Sequence, residues 1–297
     1  MEYKTKIAVL GADGQLGSEF KFLSGQFEHL DFIFFSRKAL DVTSEPALRS
    51  MILSDTPDYV INCAAYTAVD KAETDRQSCF AINTHACRTI TEILNDTNTR
   101  LIHFSSDYVY HTFDGFPIRE SNETDPKGIY AKSKLEGENI IRQSGVEALI
   151  IRTSWVVSSF GHNFLKTMLK LAAEKSSINV INDQYGAPTY ARHLAKAILE
   201  IIVKVKEKPA LVSYFDETYN YSNEGIITWY DLATHIMKVT GLTCEVCPID
   251  TSNYRTAAVR PHWSVLSKQK IKETFEVEIP HWYSAIQECL NEINREE

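Results

Sequence analysis

The sequence predicts a doubly wound α/β fold, a parallel sheet with helices on both faces, and three observations support it. Short β-branched and aromatic runs alternate with longer helical patterns through the first half of the chain. A glycine-rich turn follows the first of those runs. The 297 residues suffice for one large domain or two unequal ones.

Residues 6–10 read as the first strand, and a helix opens at Gln15. A strand over 32–36 leads to a helix over 44–54, and a strand over 59–63 to a long helix over 75–95. Residues 100–104, 130–144 and 148–152 follow as strand, helix and strand. Right-handed crossovers between these parallel strands give the double winding. Beyond Arg152 come a loop, a helix over 163–174, a strand over 178–181 and a helix over 191–204, and the sheet is expected to continue through this stretch. After the charged segment 204–216, which contains Pro209, the elements are smaller: a helix over 229–240, a strand over 245–249 and a C-terminal helix after Pro280. They read as a smaller α/β lobe covering the cleft. Residues 1–155, with a returning segment of about 187–222, are assigned to a nucleotide-binding domain, and about 156–186 with 223–297 to a substrate lobe.

Composition narrows the function. Lys plus Arg number 31 against 39 Asp plus Glu, a net charge of -8 without a basic run, so nucleic acid is not an expected partner. No apolar stretch reaches the roughly 18 residues of a membrane span. The start of the chain lacks the apolar core of a secretory signal, which makes the cytoplasm the expected location. Six cysteines read as reduced thiols, and the single Cys244-x-x-Cys247 pair, without a second pair, predicts no metal site.

Gly11-x-x-Gly14-Gln15-Leu16-Gly17 joins the first strand to the first helix. Small residues there let backbone N–H groups approach a pyrophosphate, and the positive end of the helix faces its charge, so a dinucleotide fits. Where a carboxylate would bind the adenosine ribose, at the end of the second strand, the chain reads Ser36-Arg37-Lys38. Two cations and a hydroxyl accept a 2'-phosphate, which favours NADPH, although the pair also reads as solvated surface charge. Asp41 lies close behind and keeps NADH open, and Val42 beside it is a further cofactor-binding candidate.

Ser105-Ser106-Asp107-Tyr108 and Tyr130-x-x-x-Lys134 carry the chemistry. Residues four apart share a helix face, so an ammonium beside the phenol stabilises its phenolate and eases proton transfer. A hydroxyl at the end of the fourth strand holds a carbonyl oxygen.

These residues resemble the extended short-chain dehydrogenase/reductase superfamily, with its Rossmann fold, and within it the dTDP-4-dehydrorhamnose reductase family. The likeness covers nearly the whole chain. It rests on residues 11–17, 62–73 (NCAAYTAVDKAE), 104–110 (FSSDYVY), 130–134, 152–155 (RTSW), 163–168, 182–189 (NDQYGAPT) and 260–261. The resemblance implies that Ser106 is the catalytic hydroxyl, Tyr130 the proton donor and Lys134 the lysine on the nicotinamide ribose. Ala64, Ala65 and Tyr66 match the cofactor-packing segment, and Asn83 an asparagine on the helix behind the site. Val69, Asp107, Trp155, Asn163, Gln184 and Arg260 match positions near the sugar, Trp155 reading equally well as core packing. The implied reaction is reduction of the C4 ketone of dTDP-6-deoxy-L-lyxo-4-hexulose by NADPH or NADH.

Two departures stand out. Some relatives dimerise through a metal held by glutamates, but one such position is Arg192 here, so a monomer or a homodimer without that bridge is expected. Trp263 stands where relatives usually carry Asn. A 4,6-dehydratase would carry a Glu base after its Asp, where this chain has Tyr108. An epimerase shares the Tyr and Lys, and a non-catalytic nucleotide-binding subunit shares the fold, so both remain as alternatives.

Overall fold

The computed structural model describes residues 4–111 and 115–296. β1 (Thr5–Leu10) carries Ile7, Ala8, Val9 and Leu10 fully buried, the continuous apolar run of a strand covered on both faces. It leads through the glycine turn into α1 (Gln15–Leu23) and then β2 (Leu30–Phe35). α2 (Glu45–Asp55) has a proline in its first turn and ends at Thr56, which takes the left-handed conformation at φ 44°. β3 (Tyr59–Asn62) follows.

The single helix expected over 75–95 is broken. Two short helices, α3 (Val69–Ala72) and α4 (Arg76–Phe80), precede a π-helical turn at Ala81–His85, and only then comes α5 (Ala86–Leu94). The wider turn places Asn83 inward, where it binds backbone and side chain of two other segments. Local helix propensity does not encode that demand.

β4 (Arg100–Ser106), α6 (Gly128–Gln143) and β5 (Ala148–Thr153) complete the first half. After β6 (Val156–Val157) come α7 (Phe164–Glu174), β7 (Ser177–Ile181), β8 (Tyr185–Gly186), β9 (Thr189–Tyr190) and α8 (Ala191–Glu207). The chain ends with β10 (Thr218–Tyr221), β11 (Ile227–Thr228), α9 (Trp229–Thr240), β12 (Glu245–Ile249), α10 (Gln269–Phe275) and α11 (Trp282–Glu296).

The central sheet has six strands in the order β10-β5-β4-β3-β1-β2, all parallel. Its continuation past β5 is β10. The strand expected to extend it, β7, pairs instead with β12 in a separate two-stranded sheet. Because β2 and β3 flank β1 on opposite sides, the winding reverses there and a crevice opens at the carboxyl ends of β1 and β3. One apolar cluster joins one face of the sheet to α1 and α8 through Phe20, Leu194 and Ile198. A second joins the other face to α2, α5 and α6 through Leu48, Ile90 and Ile141. A third core, built on Leu165, Leu232 and Leu290, belongs to α7, α9 and α11. All six cysteines are free thiols. Among the described residues no helix is long and apolar enough to cross a membrane, and no group of His, Cys, Asp and Glu is arranged to hold a metal.

Candidate active site

The nucleotide end of the site follows from backbone geometry. Gly11 sits at φ 71°, and a Cβ there would lie 2.7 Å from the Ala64 nitrogen, so only glycine lets the turn close on the end of β3. A Cβ on Gly17 would strike the Gly11 carbonyl and come within 2.6 Å of the Ala12 Cα, which keeps α1 against the turn. The crevice above is lined by Gly11, Gly14, Arg37, Asp41, Ala64 and Ala65, from the ends of β1, β2 and β3. Val42 also lines it, while Leu16 packs into the core beneath.

Of the residues expected at the adenosine end, Arg37 faces the crevice, and among the described residues no carboxylate lies within ion-pair distance of it. Ser36 accepts from the Ala39 N–H at 3.2 Å and so shapes the turn. Asp41 is spent locally: one oxygen accepts from the Thr43 N–H at 2.9 Å and the Thr43 hydroxyl at 2.8 Å. The Thr43 N–H, the Thr43 hydroxyl and nearby Arg37 hold the Asp41 carboxyl below the usual carboxylate range.

The chemical end assembles three elements. Ser106 closes β4; its hydroxyl donates to Asp107 at 2.9 Å and accepts from the Tyr108 N–H at 3.2 Å, and it lies near enough to the Tyr130 phenol to pull its pKa down. Tyr130 and Lys134 lie one turn apart on α6. That helix starts where Glu73 accepts from the Ile129 N–H at 2.8 Å, a cap supplied from outside the helix. The Tyr108 ring meets the Tyr130 ring edge-on, 5.6 Å between centroids. Burial pushes the Tyr130 phenol up to about 12, against the opposing pull of Ser106.

Lys134 is engaged by the strand beneath it. It is 2% exposed, donates to the Phe104 carbonyl at 2.6 Å and lies 3.4 Å from His103 Nε2. Burial lowers its pKa. Asp107 is likewise buried, and desolvation raises its carboxyl to about 6 against the lowering effect of Ser264, Ser106 and nearby backbone.

Asn83 ties the two ends together. It accepts from the Tyr66 N–H at 2.9 Å and donates to the Tyr66 carbonyl at 3.1 Å and the Ser133 hydroxyl at 3.0 Å. Behind the site, Glu138 of α6 accepts from Arg152 of β5 at 2.6 and 3.0 Å, both side chains nearly inaccessible.

The residues expected near a sugar divide. Arg260 reaches back to Asp70, beside Val69, at 2.8 Å, and Asp70 also accepts from the Ala258 N–H at 3.1 Å, so this segment is clamped over α3 near Tyr108. Trp263 donates to the Phe116 carbonyl at 2.8 Å. Asn163 is occupied internally: it caps α7 by accepting from the Lys166 N–H, and donates to Gln15 at 3.0 Å and to the Ser158 carbonyl at 2.8 Å. Gln184 is 3% exposed and donates to Thr251 at 3.1 Å. Trp155, at φ 47°, stacks on Trp229 with 3.6 Å between ring centroids, against the third apolar core. Arg192 pairs with Glu19 at 2.8 Å and Glu292 at 3.0 Å within the chain. His103 and Asn62 were missed by residue reasoning, although a histidine within the otherwise apolar start of β4 is a visible anomaly.

The comparisons agree with this architecture. A family model described as the RmlD substrate binding domain matches residues 5–295. The chain is 36% identical over 290 residues to the spore coat polysaccharide biosynthesis protein SpsK of Bacillus subtilis, covering 97% of this chain and 98% of that protein. It is 33% identical to a dTDP-4-dehydrorhamnose reductase of Salmonella typhimurium, with 97% of both chains covered. A solved dTDP-4-dehydrorhamnose reductase of Clostridium acetobutylicum superposes with a TM-score of 0.90 at 32% identity, over 97% of this chain and 99% of that one. One from Bacillus anthracis, in complex with NADP, gives 0.89 at 29% over 98% and 100%. With a family model spanning nearly its whole length and relatives this similar end to end, the chain belongs to the dTDP-4-dehydrorhamnose reductase family, that of the RmlD substrate binding domain.

Proposed function

We propose that this chain is an NAD(P)H-dependent oxidoreductase that reduces the C4 ketone of dTDP-6-deoxy-L-lyxo-4-hexulose to dTDP-L-rhamnose. The observation that carries the reading is Ser106 at the carboxyl end of β4 with Tyr130 and Lys134 one turn apart on α6, at the edge of the sheet where Gly11 and Ala64 line the crevice. The glycine turn fits a pyrophosphate because a Cβ would fill it, and Arg37 brings a guanidinium to the crevice for a 2'-phosphate, which favours NADPH. The bound nicotinamide supplies the hydride. Ser106 and Tyr130 hold the ketone oxygen, and the phenol gives up its proton as negative charge develops there. A phenol kept protonated by burial suits this direction, since the acid must still hold its proton when the alkoxide forms. The reading extends to a cytoplasmic enzyme taking a dTDP-sugar, in keeping with the dTDP-4-dehydrorhamnose reductases it resembles.

The test is cofactor oxidation on adding the ketosugar. Stoichiometric loss of nicotinamide absorbance is expected, whereas turnover of the sugar without net loss would identify an epimerase. Tyr130→Phe should lower kcat by about 10²–10⁴-fold while cofactor affinity stays near that of the parent. Full activity of that variant would remove Tyr130 as the proton donor.

A further inference from the structure

Behind Lys134 lies a line of hydrogen bonds whose direction is set at one end. The Ala64 N–H can only donate, and it donates to Asn62 Oδ1 at 3.2 Å. That fixes the Asn62 amide with Nδ2 toward His103 Nδ1, 3.2 Å away, so Nδ1 is the acceptor. A neutral imidazole then carries its proton on Nε2, which lies 3.4 Å from Lys134 Nζ. Lys134 in turn donates to the Phe104 carbonyl at 2.6 Å. An ammonium has no lone pair with which to accept from Nε2–H; a neutral amine has one. For Lys134 to be charged and bonded to His103, the imidazole would need its proton on Nδ1. The Asn62 amide would then have to turn over and set its NH₂ against the Ala64 N–H, two donors face to face.

We infer that, in the cofactor-free chain, His103 is a positioning residue which, as the Nε2–H tautomer locked by Asn62 and Ala64, donates to Lys134 and holds it as a neutral amine. The surroundings agree. His103 and Lys134 are 1% and 2% exposed, and burial lowers the pKa of each. The other titratable groups around Lys134 do not offset this: burial raises the thiols of Cys87 on α5 and Cys79 on α4, and Glu138 on its own helix is engaged by Arg152 and Arg142. The Cys87 thiol gives its proton to the Asn83 carbonyl at 3.3 Å, so toward His103 Nδ1 and Nε2, 3.9 and 4.0 Å away, its sulfur offers only a weak acceptor. Since Ala64 lines the nucleotide crevice, charging Lys134 and remodelling the crevice wall are coupled through Asn62 and His103. The inference rests on the reductase reading only for the importance it gives Lys134.

Long-range ¹H–¹⁵N NMR of the imidazole in the cofactor-free protein reads the tautomer directly. A proton on Nε2 and none on Nδ1 is expected throughout about pH 5–8, and a proton on Nδ1 or on both nitrogens overturns the inference. ¹⁵N-lysine spectra at neutral pH should show Lys134 Nζ as an amine, and an ammonium signal overturns it equally. Glutamine offers an acceptor and a donor in the same order as this tautomer. His103→Gln should therefore keep turnover near that of the parent, whereas His103→Leu should lose on the order of tenfold in kcat with altered pH dependence. Equal losses in the two variants would reduce His103 to packing. Both spectra are taken without cofactor or sugar, so their failure is separable from failure of Tyr130 as proton donor.

Discussion

Replacing Arg152 by methionine tests how α6, with Tyr130 and Lys134, is held on the sheet. The Arg152 guanidinium meets Glu138 at 2.6 and 3.0 Å and also bonds the Tyr110 hydroxyl, and Glu138 is fully buried. Arg152→Met leaves a buried carboxylate whose other cation, Arg142, is 35% exposed. Breaking one side of such a pair costs about 3–5 kcal/mol. At about 2–4 °C per kcal/mol for a large domain, the melting temperature should fall by about 6–20 °C. Removing both charges, in Glu138→Leu with Arg152→Met, should recover much of that loss, because no uncompensated charge remains. The pH dependence carries a sign. Desolvation raises the Glu138 carboxyl, but Arg152 outweighs it and the net shift is below 4.5, so the contribution is present above that value and lost as the pH falls. In Arg152→Met burial dominates, the carboxyl is raised, and the variant should gain stability toward acid. Calorimetry and denaturant titration across pH measure both effects. A fall of less than about 2 °C, or a variant that loses stability toward acid as steeply as the parent, would refute the assignment of the pair as the anchor of α6.

Arg37→Ala should weaken NADPH by about 10–100-fold and leave NADH nearly unchanged, as loss of a charge-assisted contact predicts; equal weakening of both cofactors would place Arg37 elsewhere. Asp107, raised to about 6 by burial, is ionised above that pH and then accepts from the Ser106 hydroxyl. Because that bond takes the one Ser106 proton that would otherwise point at the ketone oxygen, kcat/KM should fall as the pH rises through about 6, and Asp107→Asn should flatten the change. Its folded pKa exceeds the ordinary 3.8, so this carboxyl favours the fold in acid and loses that contribution as the pH rises through about 6.

What could be read from the chain alone was local. The strand–turn–helix around Gly11 was legible because a positive φ and a close backbone approach demand glycine there. Tyr130 and Lys134 were legible because helical geometry sets residues four apart on one face. The parallel core strands were legible because burial on both sides requires unbroken apolar runs. What side chains do once they meet distant partners was not. Asn163, expected near a sugar, is a helix cap and a strut to Gln15; Asp41 is tied into its own turn by Thr43; Trp155 lies on Trp229. The sixth strand, β10, lies in the returning segment expected in the nucleotide-binding domain but carries no strand signal read there, and the π turn turns Asn83 toward Tyr66 and Ser133. Most consequential is Lys134, whose partners His103 and the Phe104 carbonyl belong to a strand that packing alone brings beneath it. Propensity and periodicity act over a few residues along the chain. The charge and orientation of a buried polar group depend on donors and acceptors that only the folded core assembles around it.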